Sequence, residues 1–325
     1  DRLVRAASRL GAEVLDASAD PDHNRAVLTF VGPPEAVEDA SVEIARIAVE
    51  EIDLRQHEGV HPRVGALDVL PFVPLAGLTM EEAQASAWRV GDRLTREVGL
   101  PVFFYSEASQ PPGKSLASLR TGGFESLVRG FPSDRVPDIL PESWPHPGVH
   151  PTAGVTCVGA RPLLLAWNVE VEGLTEEEVR RLAAELRERD GGTVGLRALA
   201  MTLASKGSLQ VSMNLEDVCN RKPFLVFQDV ENRVRAVGGR VVNTEVLGLV
   251  PDELILEAGV DRLSLLDPYP SRVLSAQLTA HVVRRAARQA DELLALVRES
   301  GDLIPQEFHQ AVEQLGSSLA GFKSW

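Results

Sequence analysis

Apolar positions along the chain follow two periods, one near 3.6 residues and one of 2, which mark helices and strands. Leu3, Val4, Ala7 and Leu10 share one face of a helix over Asp1–Leu10, and Gly11 ends it. A short strand over Ala12–Ala17 and a β-branched strand over Arg25–Val31 flank a polar turn, Ser18–Asn24. Pro33-Pro34 open a helix that runs to Glu51, with Val37, Ala40, Ile44, Ile47 and Ala48 in helical register. A strand over Ala66–Val73 follows, then a helix over Thr79–Val98. Thr79 is its cap and Glu82 completes a capping box. Leu100–Tyr105 is the next strand. From Ser106 to Gly154 the periodicity lapses into Pro, Gly and Ser, with weak helical signals near Leu116–Leu119 and Glu125–Leu127. So long an irregular stretch is usually functional or disordered. The periods then resume: a strand over Leu163–Val171 and a helix over Glu176–Arg189, capped by Thr175 with Glu178. After them come a hairpin of Val194–Leu203 and Leu209–Leu215 about Lys206-Gly207, a helix over Pro223–Val237 and a strand over Arg240–Val246. Three helices close the chain: a short one at Leu254–Ala258, a long one at Pro270–Glu299 and Ile304–Leu319. Leu274, Leu278, Val282, Ala286, Ala290, Leu293 and Leu296 line one face of the long helix, which suits a packed hairpin and a dimerisation arm equally.

The second half reads β-α-β-β-α-β, the ferredoxin-like order. The first half has that order if a strand precedes Asp1, with an α-β pair appended. The expected class is therefore α/β in the α+β sense, two ferredoxin-like subdomains with a C-terminal helical extension. The expected boundaries are residues 1–154, 155–269 and 270–325, with a strand lost ahead of Asp1.

Composition narrows the function. The 325 residues carry a net charge of −14, which argues against non-specific nucleic-acid binding. No apolar run reaches the roughly 18 residues of a membrane span, and Cys157 and Cys219 are too few for a disulfide framework. The expectation is a cytoplasmic protein acting on small molecules, not on nucleic acid or membranes. Anionic ligands then require arginines gathered locally. No Gly-rich phosphate loop follows any strand.

Chemistry concentrates in R-Q-H-E-G-V-H-P-R-V-G-A-L-D-V-L-P-F, Arg55 to Phe72. His57 and His61 have the H-E-x-x-H spacing of zinc hydrolases, which works only on a continuous helix. Gly59 weakens any helix there, and Pro62 pushes His61 out of the helical region. The stretch therefore reads as a loop that presents His61 at a rigid X-Pro corner, a candidate general acid/base. His146-Pro-Gly-Val-His150-Pro echoes His57-Glu-Gly-Val-His61-Pro, but proline after each second histidine again forbids a helical ligand pair. No metal site is expected; a zinc hydrolase on His57 and His61 stays as the alternative.

Several strings resemble the formiminotransferase domain of formimidoyltransferase-cyclodeaminases and the free-standing glutamate formimidoyltransferases. They are Asp22-His-Asn-Arg25 with T-F-V-G-P-P-E, H-P-R-V-G-A-L-D-V-L-P-F, L-P-V-F-F-Y-S-E-A, L-R-T-G-G-F-E, G-V-T-C-V-G-A-R, Q-V-S-M-N-L and L-G-L-V-P. The resemblance covers roughly Asp1 to Leu278. It implies two ferredoxin-like subdomains around a ligand cleft, a homodimer, and tetrahydrofolate as co-substrate. The implied reaction is transfer of the formimino group of N-formimino-L-glutamate to N5 of tetrahydrofolate, in histidine degradation. It also implies that His61 is the catalytic histidine and that a folate loop lies at about Leu140–Gly154, with Pro141, Ser143, Trp144 and Gly154. A folate-binding module without turnover remains a second alternative. Ser106 stands where relatives carry Gly, Ser18 where some carry an acidic residue, and the opening V-P-N-F-S-E-G strand has no counterpart.

The residue types suit that chemistry. One amine must lose a proton and another gain one, which a single histidine can do in turn. The intermediate is cationic or neutral, so carboxylates help more than N–H donors; Asp68 and Glu107, at strand ends, are the candidates. Arg63, Arg120 and Arg161 are candidate clamps for substrate carboxylates, and Trp144 offers a face to the pterin.

Overall fold

A computed structural model describes residues 2–20, 24–59, 61–75, 77–203, 207–216, 218, 222–247, 249, 274–300 and 305–320. The order is α1 (Arg2–Arg9), β1 (Glu13–Asp20), β2 (Arg25–Val31), α2 (Pro34–Glu51), β3 (Val69–Phe72), α3 (Met80–Arg93, continued by a π turn at Leu94–Val98) and β4 (Val102–Ser106). Next come the short α4 (Leu116–Leu119) and α5 (Gly123–Leu127), β5 (Thr156–Ala160), β6 (Leu164–Glu172), α6 (Glu176–Leu186), β7 (Leu196–Leu203), β8 (Ser208–Glu216), α7 (Pro223–Ala236) and β9 (Arg240–Leu247). The helices α8 (Leu274–Ser300) and α9 (Gln306–Ala320) follow. The chain forms two compact units, Asp1–Pro74 with Thr79–Val250, and Leu75–Leu78 with Pro251–Trp325. The expected short helix at Leu254–Ala258 lies outside the described residues.

Local chemistry sets the helix ends. Both Thr79 and Thr175 form complete capping boxes, with Glu82 and Glu178. Gly11 at φ 84 and Gly99 at φ 78 take the left-handed turns that follow α1 and the π turn.

In the second half, four antiparallel strands lie in the order β7-β8-β6-β9, as the ferredoxin-like reading requires. Leu165, Trp167, Val169, Val211, Met213 and Leu215 are buried on one face together with Val179, Leu182 and Leu186 of α6 and Val226, Val230 and Val234 of α7. The other face is polar. Asn168 pairs across to Ser212 and Glu245, and Glu170 to Gln210 and Asn243.

The first half departs from expectation. Its described strands form two sheets, an antiparallel β1-β2 pair and a parallel β3-β5-β4 sheet. The central strand β5 was missing from the sequence reading, which started the second half at Val155; Thr156–Ala160 lies in the first half's sheet, between β3 and β4. One face of this sheet packs Leu70, Phe72, Val102, Phe104 and Val158 against Val42, Ala45, Ala83, Ala87, Val90 and Leu94 of α2, α3 and the π turn. The other face packs Phe103, Tyr105 and Cys157 against Leu119, Phe124, Leu127 and Val149. The irregular stretch 106–154 is therefore the second cover of the sheet, and its Leu119, Phe124, Leu127 and Val149 are core.

In the helical unit the buried face of α8 carries Ala287, Ala290 and Val297, while Leu293 and Leu296 are exposed. The stripe is rotated from the expected one; Leu274, Leu278 and Val282 lie outside the described side chains.

Candidate functional site

The loop between α2 and β3 is pinned on both sides of His61. Ahead of it, Arg63 Nε donates to His57 Nδ1 at 2.8 Å, and the Arg63 Nη atoms donate to Glu125, to the His57 carbonyl and to the Leu54 carbonyl. Behind it, Asp68 Oδ1 accepts from the backbone N–H groups of Val64 at 2.8 Å and Gly65 at 3.1 Å. Gly65 and Gly154 bridge the loop to the chain entering β5. The His61 ring is half-buried, and its Nδ1 lies 2.9 Å from the Pro62 carbonyl. A carbonyl only accepts, so Nδ1 carries the hydrogen and Nε2 the lone pair.

Asp68 Oδ2 meets Arg120 Nη2 in a pair that is largely shielded from water, 20% and 16% exposed. The Arg120 Nε is buried with no hydrogen-bond partner. Arg25, the first residue of β2, is half-buried and was not singled out from the sequence. Burial lowers its guanidinium pKa, the neighbouring Arg120 charge adds to that, and Asp20, Asp68 and Glu245 oppose it. A cation under such strain gains from an incoming carboxylate. Glu245 lies on the polar face of the second sheet, where it is 3.4 Å from Asn168 Nδ2. The amide oxygens of Asn168 and Gln210 on that face are buried without a partner.

The remaining candidates are placed differently. Glu107 follows β4, whereas Asp68 precedes β3, so the parallel register sets their backbones at opposite ends of the sheet. The five steps from Val102 to Glu107 span roughly 16 Å at about 3.3 Å each. Arg161 follows β5, donates to the Pro162 carbonyl at 3.0 Å and bonds the Tyr105 hydroxyl, whose pKa burial raises. Trp144 Nε1 donates to the Gly148 carbonyl at 2.8 Å, and its ring meets His146 edge-on at 4.9 Å. Ser143 holds φ 57 in the same loop, and Pro141 precedes it. His150 Nδ1 accepts from the Ala153 N–H at 3.0 Å, and burial lowers its pKa, so the ring is held neutral. Arg63 donates into His57 Nδ1, and His57 Nε2 lies 2.7 Å from the Asn24 carbonyl, so neither nitrogen of His57 is turned to a metal. Cys157 is buried, which raises its thiol pKa and leaves it inert.

Ser106, at the position where the resemblance expects glycine, holds φ 53. Its backbone N–H donates to the Lys114 carbonyl, and its own carbonyl accepts from Ser109 and Gly113. Replacing Ser106 with Gly removes a left-handed strain of about 1 kcal/mol, partly offset by the entropy of glycine. The expected result is a urea midpoint equal to or above the parent's; a clear fall would show that the bend carries no strain.

A loop-borne imidazole and the neighbouring Arg25 and Arg120 suit small-molecule group transfer, and the family models agree. Residues 1–161 match the formiminotransferase domain, N-terminal subdomain, and residues 166–262 the formiminotransferase domain; the chain belongs to this family. It is 35% identical over 285 residues to a glutamate formimidoyltransferase of Streptococcus pyogenes serotype M1, covering 86% of this chain and 93% of that one. A glutamate formimidoyltransferase of Thermoplasma acidophilum is 35% identical over 257 residues, 78% of this chain and 83% of its own. A formimidoyltransferase-cyclodeaminase of Mus musculus is 37% identical over 267 residues, 79% of this chain and 48% of its own, so the chain spans about half of that longer relative. Among the described residues no helix is long and apolar enough to cross a membrane.

Proposed function

We propose that His61 is the acid–base group of a glutamate formimidoyltransferase, taking N-formimino-L-glutamate as donor and tetrahydrofolate as acceptor in histidine degradation. The secondary amine N5 of tetrahydrofolate attacks the formimino carbon, and a C–N bond forms. His61 Nε2 takes the N5 proton and returns it to the glutamate nitrogen as the old C–N bond breaks. The products are 5-formiminotetrahydrofolate and L-glutamate, with no proton gained or lost overall. The observation that carries this reading is the placement of His61 at the Pro62 corner: Nδ1 lies 2.9 Å from the Pro62 carbonyl, which puts the proton-accepting lone pair on Nε2.

Both substrates are carboxylates. Arg25 and Arg120 are the proposed clamp, since Arg25 is half-buried beside Arg120 and the Arg120 Nε has an N–H to give. Arg63 is proposed to order the loop, because its donors are spent on His57, Leu54 and Glu125. Asp68 is proposed to hold Arg120 and the loop backbone together. Pro141, Ser143, Trp144 and Gly154 form the proposed folate loop, Glu107 and Arg161 remain proposed from the far end of the sheet, and a homodimer in the cytoplasm completes the reading.

The test is direct. Incubation with tetrahydrofolate and formiminoglutamate, followed by the absorbance of 5-formiminotetrahydrofolate, reports turnover; its absence would sink the reading. Arg25→Ala is expected to raise KM for formiminoglutamate about tenfold to a hundredfold, the effect of losing a charged hydrogen bond of about 1.5–3 kcal/mol. An unchanged KM would remove Arg25 from the clamp.

A further inference from the structure

We propose that His57 is a positioning residue for the transfer: as a neutral imidazole protonated on Nε2, it fastens the turn ahead of β2 to the loop that carries His61. The proposal rests on the reading of His61 as the acid–base group.

Both nitrogens of His57 are fixed by partners that have only one role. Nε2 lies 2.7 Å from the Asn24 carbonyl oxygen, which can only accept, so Nε2 bears the hydrogen. Nδ1 lies 2.8 Å from Arg63 Nε, which can only donate, so Nδ1 bears the lone pair. The ring therefore works as a two-sided connector, and it does so only while neutral. A second proton would set N–H against N–H and place a cation on the Arg63 guanidinium.

The connection is doubled at the turn. Asn24 sits at φ 45, a left-handed conformation that asparagine tolerates, and its Nδ2 donates to the Glu58 carbonyl at 2.8 Å. On the other side Arg63 Nη2 returns to the His57 carbonyl at 3.0 Å and reaches Glu125 Oε1 of α5 at 2.8 Å. Arg63 is the first cause that holds the Glu125 carboxyl below its ordinary range. Asn24, His57, Arg63 and Glu125 thus run as one chain through three elements. His61 lies between two of its members in sequence and Arg25 directly follows a third, so the base and the proposed clamp are set by one device. The charged groups facing the ring are Arg63 from its own loop and Glu125 from α5, with Arg25 beyond Asn24 on β2 and Glu58 beside it in the chain.

This role differs from the two others open to the histidine. A metal ligand needs a bare nitrogen, and Nδ1 is occupied by a donor while Nε2 carries a hydrogen. A catalytic base needs access to substrate, and both nitrogens are spent on protein.

The test uses the full chain with His57→Phe, which keeps the ring volume and loses both bonds, and His57→Gln, whose amide can both donate and accept without titrating. Thermal midpoints first establish that each variant is folded. Expected for His57→Phe is a kcat lower by about tenfold to a hundredfold, the penalty of a misplaced catalytic group, with KM for both substrates within about threefold. His57→Gln is expected to restore kcat to within about threefold. A folded His57→Phe with parental kcat, or failure of His57→Gln to recover, would overturn the proposal. If the parent shows no transfer, the reading of His61 fails instead. The 15N signals of His57 then decide the inference separately: hydrogen on Nε2 with a bare Nδ1 supports it, and hydrogen on Nδ1 overturns it.

Discussion

Replacing His61 with alanine is expected to lower kcat for formimino transfer by about 10²- to 10⁴-fold, the usual share of one acid–base group. Tetrahydrofolate binding is expected to stay within several-fold, because the imidazole is assigned no part in the clamp. The reasoning is positional. Proline at 62 fixes the corner, Arg63 and Asp68 hold the loop on either side, and the Pro62 carbonyl selects the tautomer. The loop keeps the Arg63 and Asp68 bonds in the alanine variant and loses only the ring with its Pro62 contact, so the loss falls on the proton transfers. Equal turnover by parent and variant would remove His61 from the mechanism.

Gly154→Ala is expected to cost about 2–5 kcal/mol of stability and most of the activity with it. The backbone at Gly154 has φ +71, which costs an L side chain about 1–2 kcal/mol. A Cβ there would lie 2.0 Å from the Val64 carbonyl oxygen, and Leu54 Cδ1 and Val64 C would each be 3.0 Å away. Overpacking of this kind costs typically 1–3 kcal/mol, since neither backbone can retreat without breaking bonds. The Val64 carbonyl accepts from the Val155 N–H at 3.0 Å, so pushing it aside loosens the stretch between Arg63 and Asp68. Urea unfolding reads the stability and the transfer assay reads the site. A midpoint shift worth under about 1 kcal/mol would show that the two glycines do not clamp the loop.

What the residues disclosed on their own follows from range. The helix at Pro34–Glu51 and the capping boxes of Thr79 and Thr175 were legible because cap, proline and period act within a few residues. The order β6-α6-β7-β8-α7-β9 was legible for the same reason. The strand T-C-V-G-A escaped because five residues with a glycine inside carry no periodic signal. That glycine is explained only by a distant partner: a Cβ on Gly159 would lie 2.4 Å from the Tyr105 ring. In the site, His61, Asp68 and Arg120 were legible as chemistry, and the Asp68–Arg120 pairing needed the fold to bring positions 52 residues apart together. Arg25 carries no local mark, since it reads simply as the opening residue of a strand. His57 was legible as a spacing and not as a role, because its two partners come from a turn and from a guanidinium with four other acceptors.

The middle position of the parallel sheet goes to the strand that the ribosome makes last. Among the described strands β3 and β4 do not pair with each other; in the sheet each pairs with β5, which arrives about 50 residues after β4 ends. The ends of that intervening stretch must meet before the sheet has a centre, and such distant closures are slow steps in folding. A nascent chain stopped short of Thr156 holds two strands with nothing to join them, and the Gly65–Gly154 bridge beside it cannot yet be made. The loop that carries His61 and the sheet centre therefore mature in one late event, which ties acquisition of activity to completion of this half rather than to any earlier intermediate.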